Sequence, residues 1–171
     1  MYILRICLSV ILSLHIASTQ AQAVTLPEMT GPVILTITGL DPAEFPGGEI
    51  ELDVARLAAI GEDEIVTTTI WTKGPHHFSG VMLRDLVDFL DIKESVLRLH
   101  ALNDYAVEFP TEDATDNAPI LAYAMDGLAM SVREKGPIWV LYPFDDGPEY
   151  RTDTTFSRSI WQLDRIDVIA Q

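Results

Sequence analysis

The chain reads as a single mixed α+β domain behind a short leader, and three features predict it. Many short β-branched or apolar runs are fenced by Gly, Pro or Asp-Gly pairs. Only two or three stretches, clearest between Gly80 and Asp91, carry helical periodicity. The runs also do not alternate regularly with helices, so a βαβ array is not expected. A length of 171 residues suits one domain, and 48% apolar residues suffice for a core despite a formal charge of −15.

Residues 1–23 are predicted to lie outside that domain. Arg5 precedes a largely apolar run from Ile6 to Ile16, and the small-residue pattern Ala21-Gln22-Ala23 follows, as in a secretory signal peptide. The expected product is residues 24–171, periplasmic or secreted, with no direct membrane insertion after cleavage, because no other stretch approaches the roughly 20 apolar residues of a spanning helix. Cys7 is the only cysteine and would leave with the leader. The mature chain is then expected to have no disulfide, no thiolate nucleophile and no Cys-ligated metal. With 26 acidic residues against 11 Lys and Arg, nucleic acid is excluded as a partner, since phosphate affinity comes from basic side chains releasing counterions.

From Val24 to Pro32 the residues favour turns, and Val33 to Gly39 is a β-branched run closed by Gly. Pro42 to Gly48 is a loop, Glu49 to Leu52 a short strand, and Asp53 caps a helix through about Ile60. Glu64 to Trp71, with three consecutive threonines, is strongly β-biased and stops before Gly74-Pro75. Leu83, Leu86, Val87 and Leu90 then recur at helical spacing, with Arg84, Asp85 and Asp88 on the other side. Val96 to Leu102 and Tyr105 to Phe109 form two strands across Asn103-Asp104. Ile120 to Met125 and Leu128 to Val132 flank Asp126-Gly127, a pair suited to the positive φ values of a two-residue hairpin. Ile138 to Tyr142 is a strand between Gly136-Pro137 and Pro143. A short helix around Phe156 to Trp161 and a strand from Arg165 to Ile169 end the chain.

His76-His77 is the one histidine cluster, but adjacent histidines in an extended chain diverge, so a metal would need distant carboxylates; beside Gly74-Pro75 an exposed loop is the ordinary reading, and no metal site is expected. Ser79-Gly80 lacks the strained elbow of a serine nucleophile. Glu62-Asp63-Glu64, Glu112-Asp113 and Asp145-Asp146 read as solvated acidic surface. Trp71, Trp139, Tyr142, Phe144 and Trp161 read first as core, with one able to line a pocket.

Five segments come in a familiar order: Phe78 to Leu86, Asn103-Asp104-Tyr105, Ile120 to Gly127, Gly136 to Pro143 and Ser159 to Leu163. Together they resemble the oxidoreductase molybdopterin-binding domain, the sulfite-oxidase-type fold, from about Val33 to the C-terminus. The resemblance implies a mixed-sheet domain of several short strands and two to three helices around a pterin pocket. It also exposes departures. Where that family carries a molybdenum-ligating cysteine, this chain has Thr67-Thr68-Thr69-Ile70-Trp71, and a neutral hydroxyl is a poor substitute for a soft thiolate. Where the family tends to place a phosphate-holding arginine, two residues after the Gly-Pro turn, this chain has Trp139. The leader has a single arginine rather than a twin-arginine pair, which fits export as an unfolded chain without a preloaded cofactor.

The expectation is an exported domain that keeps this fold without molybdenum catalysis and binds a small molecule or a periplasmic or membrane protein. Molybdopterin enters through the resemblance alone. Its pocket candidates are Thr67, Thr68, His76, His77, Asn103, Asp104, Tyr105 and Trp139. Asn103-Asp104-Tyr105 also reads as an Asx-stabilised turn. The alternatives are a molybdopterin-dependent oxidoreductase whose metal is held by the pterin alone, and a structural subunit of an exported redox or sensor complex.

Overall fold

A computed structural model describes residues 25–170; the predicted leader lies outside them. Strands β1 (Leu35–Thr38) and β2 (Glu49–Leu52) pair antiparallel, followed by helix α1 (Val54–Ile60). The helix starts at Asp53 for the reason its sequence predicts: Asp53 Oδ1 accepts the Arg56 N–H at 2.9 Å. Sequence could not show that Asp53 Oδ2 also accepts from Thr30 and Gly31 N–H, at 2.7 and 2.9 Å, pinning the entering segment to the helix. The backbone N–H of Arg56, then that of Gly31, holds this buried carboxyl below the usual carboxylate range. A lowered folded-state pKa contributes stability that is present above the unfolded value of about 4 and is lost as pH falls through the folded one. Asp53→Asn should therefore melt well below the wild type at pH 7, with the gap shrinking below about pH 4; a gap constant across that acid range in a melting series would contradict the assignment.

Strand β3 (Asp63–Thr68) and strand β4 (Pro75–Met82) form the next antiparallel pair, with helix α2 (Leu83–Phe89) behind. Two expectations change here. The strand predicted to reach Trp71 ends at Thr68, because Thr69 Oγ1 accepts the N–H groups of Trp71 and Thr72 and turns the chain. The helix predicted from Gly80 begins at Leu83, because Gly80 to Met82 pair with Ala122 to Ile120. Gly80 belongs in a strand on contact grounds: a Cβ there would collide with the Leu121 carbonyl oxygen and come within 2.7 Å of the Ala122 Cα.

Strands β5 (Ser95–Ala101) and β6 (Ala106–Pro110) join across a turn at Leu102 to Tyr105. Strand β7 (Ile120–Met125) returns through Asp126 and Gly127, with φ of 51° and 77°, into strand β8. The hairpin is as expected, but β8 is only Leu128–Ala129, and Leu128 and Val132 are 74% and 50% exposed. Strand β9 (Ile138–Leu141) precedes helix α3 (Asp153–Arg158), which Thr152 and Thr155 start with a reciprocal capping box. That box moves the helix ahead of its expected span, and Trp161 opens the long strand β10 (Trp161–Ala170) instead of closing a helix.

The sheet runs β2-β1-β10-β9-β7-β4-β3, with β5 on β10, β6 on β5 and β8 on β7. Only β1 and β10 pair parallel among the described strands; the rest are antiparallel, so the sheet is mixed. β10 is the pivot. It meets β9 through Trp161 and Leu163, then β5 from Leu163 onward, with a register shift beside Gln162 at φ 57°. The core lies against the sheet, where Phe78 of β4, Phe109 of β6, Leu121 of β7 and Trp139 of β9 are fully buried. No helix among the described residues is long and apolar enough to cross a membrane.

Candidate functional site

The turn at Thr69 delivers Trp71 into a nest of aromatic rings. Its centroid lies 5.8 Å from both Trp139 and Trp161, 6.0 Å from Phe156 and 6.1 Å from Phe144, all edge-to-face. Trp139 and Trp161 meet because β9 and β10 pair them directly, and Phe156 arrives on α3. Above these rings opens a cleft of about 300 Å³, lined by Trp71, Trp161, Phe156, Tyr105 and Asn103, with Ala101, Ser157, Ser159 and Ile160. None of these nine side chains carries a formal charge at neutral pH. Tyr105 donates its hydroxyl to the Ser157 carbonyl at 3.3 Å, tying the β5–β6 turn to α3 across the opening.

A cation packs against one of the walling rings without itself lining the cleft. Lys135 takes a left-handed conformation, φ 78°, just before Gly136-Pro137, and its carbonyl accepts the Gln162 N–H at 2.9 Å. Its Nζ then stands 4.1 Å from the Trp161 centroid and 5.0 Å from that of Trp139. Burial holds the ammonium's pKa below the ordinary lysine value.

The expected pocket residues separate into three places. Asn103 and Tyr105 line the cleft; Asp104, at φ 64°, is exposed in the same turn and is not part of the lining. Asn103 Oδ1 also accepts the Tyr105 N–H at 3.2 Å, so the Asx-turn geometry is present at the residue that faces the cleft. Trp139 is fully buried beneath the lining, with Nε1–H donating to the Ser159 carbonyl at 3.3 Å. Thr67 and Thr68 sit elsewhere, held by one aspartate. Asp145 accepts from the Thr68 N–H at 2.6 Å and hydroxyl at 2.7 Å, and donates its own N–H to Thr67 Oγ1 at 3.2 Å. The Thr68 hydroxyl, then its N–H, keeps the Asp145 carboxyl below the usual range, so a residue read as bare acidic surface is a tether for the strand leading to Trp71.

His76 and His77 lie in β4 rather than on the expected loop, because Gly74, at φ 73°, folds the chain back so that they pair with Thr67 and Val66. As divergence along a strand requires, they face different carboxylates. His76 Nδ1 is 2.7 Å from Asp126 Oδ2, and His77 Nδ1 is 2.9 Å from Glu64 Oε1. His76, followed by the His77 N–H, lowers the Asp126 carboxyl and fastens the hairpin turn.

Phe156, Ser157 and Ser159, which line the cleft, were not among the expected site residues.

A mixed-sheet α+β domain carrying an uncharged aromatic cleft is the class that this architecture defines. A solved structure shares the fold: the sulfane dehydrogenase SoxCD from Paracoccus pantotrophus superposes with a TM-score of 0.55 at 15% identity, covering 80% of this chain and 38% of that one. The likeness is one of fold. No family model matches the sequence, and no curated protein matches it.

The lining does not fit a thiolate-held molybdenum–pterin group. Its polar side chains are one amide, one phenol and two serine hydroxyls, with neither a sulfur to ligate the metal nor a guanidinium to clamp a phosphate.

Proposed function

We propose that the chain is an exported ligand-binding module that uses a sulfite-oxidase-type fold to hold a small flat molecule, without molybdenum catalysis. The observation that carries this reading is the uncharged cleft of about 300 Å³ walled by Trp71, Trp161, Phe156 and Tyr105. Aromatic walls reward a planar ligand through stacking and area burial, and a few polar groups such as Asn103 and Ser157 orient it. A volume near the lower end of the usual range for small-molecule sites suits one or two fused rings rather than a dinucleotide or a peptide. The supporting chemistry is the lack of any thiol from Val24 onward.

Protein recovered from the periplasm of its own host tests this. Denatured extracts should release a small aromatic compound in mass spectrometry, with molybdenum far below one atom per chain by elemental analysis. Trp71→Ala should lose that compound, because it removes the ring that contacts four others. Stoichiometric molybdenum, or an unchanged ligand load in Trp71→Ala, contradicts the reading.

A further inference from the structure

We infer that the cleft selects an uncharged flat ring bearing a carbonyl oxygen, and that the side-chain amide of Asn103, which lines the cleft, donates to that oxygen; the inference rests on the proposed use of the cleft.

The first observation is how the lining residues already use their hydrogen bonds. Every side-chain hydroxyl there donates to a backbone carbonyl: Ser157 Oγ to Thr154 at 2.8 Å, Ser159 Oγ to Thr155 at 2.7 Å, and Tyr105 Oη to Ser157 at 3.3 Å. The backbone carbonyls of Ala101, Tyr105, Phe156, Ser159 and Ile160 likewise accept bonds from within the protein. Asn103 differs. Its Oδ1 accepts the Tyr105 N–H, which settles the oxygen and nitrogen ends of the amide and leaves both Nδ2 hydrogens without a protein acceptor among the described residues.

The second observation is independent. The indole N–H groups of Trp71 and Trp161, on two rings that wall the cleft, have no acceptor among the described residues either. Both side chains are half-buried, and no buried side-chain nitrogen among the described residues goes unpaired, so both N–H groups reach solvent. The hydrogens left free in the lining are therefore uncharged N–H groups. A ring that covers them without offering an acceptor strips them of water and leaves them unpaired, whereas a ring carbonyl restores the bond. A ligand's own N–H or O–H meets oxygens that are already engaged. An anionic acceptor is disfavoured, because no cation lines the cleft to offset its desolvation and the chain carries a formal charge of −15. Uncharged fused-ring ketones, of the quinone or chromone kind, meet all three conditions and suit the volume.

Calorimetric titration with chromone and with indole reads the inference directly. Both are uncharged fused bicycles; the first has a ring carbonyl and no donor, the second a ring N–H and no carbonyl. The wild type should bind chromone about fivefold more tightly, the effect expected of one net hydrogen bond. Asn103→Asp keeps the oxygen that holds the Tyr105 N–H and replaces the amide hydrogens with a second oxygen, so the preference should fall below about twofold or reverse. Asn103→Ala, at an exposed position, should lose the preference as well. Equal or tighter binding of indole to the wild type overturns the carbonyl inference while leaving the flat-ligand reading standing. A preference unchanged in either folded variant overturns the role of Asn103. Binding of neither probe to folded wild-type protein overturns the inference and the cleft reading together.

Discussion

Trp139→Ala is expected to lower stability by about 3–5 kcal/mol, the usual range for emptying a buried aromatic site. Trp139 has no exposed surface, packs edge-to-face on Phe78 at 5.6 Å and on Trp71 at 5.8 Å, and donates its indole N–H to the Ser159 carbonyl. Truncation opens a void under the cleft and leaves a buried carbonyl without its partner. For a domain of this size the loss corresponds to roughly 10–15 °C in Tm, read by calorimetry. Trp139→Phe should recover most of the packing but not the hydrogen bond. A Tm for Trp139→Ala within a few degrees of wild type would mean that the ring is not the keystone of the β9–β10 pairing.

Gly80→Ala should be nearly as damaging, at about 3 kcal/mol, although it adds only a methyl group. The obstacle is backbone rather than a movable side chain: the new Cβ would meet the Leu121 carbonyl oxygen and the Ala122 Cα on the facing strand. Gly80 marks the point where the β4–β7 register shifts, so the strands have no straightforward way to separate without losing ladder bonds on both sides. Denaturant unfolding should show a lower midpoint, with hydrogen exchange speeding up first in Ile120 to Met125. An unchanged midpoint would show that the β4–β7 approach is looser than this contact implies.

The features that were legible in sequence are those with local causes. The Asp53 cap, the amphipathic stripe of Leu83, Leu86 and Val87, and the Asp126-Gly127 hairpin depend on residues within a few positions of one another, and all three are present. The boundaries that moved did so through bonds the pattern does not encode. Thr69 is as β-prone as Thr67, yet its hydroxyl captures two backbone N–H groups and ends the strand. Gly80 and Met82 fit the start of a helix by composition, and only their pairing partners on β7 keep them extended. His76 and His77 looked like loop residues beside Gly74-Pro75, and the β3 pairing overrode that preference.

The cleft divides in the same way. Asn103 and Tyr105 stood out as polar residues interrupting two strands, which is a local signal. Ser157 and Ser159 gave none, since nothing near either residue in the chain reveals that they will line one cleft with Asn103 and Tyr105.

By itself, the sequence determined an acidic α+β domain with short strands, the cap and hairpin that start and stop its elements, and a chain without a thiol beyond Cys7. Tertiary structure alone decided that Trp71, Trp139, Trp161 and Phe156 converge, and therefore that a neutral aromatic cleft exists. The physical reason is that side-chain periodicity specifies which face of a strand is buried, whereas the register between β9 and β10 specifies which buried residues become neighbours.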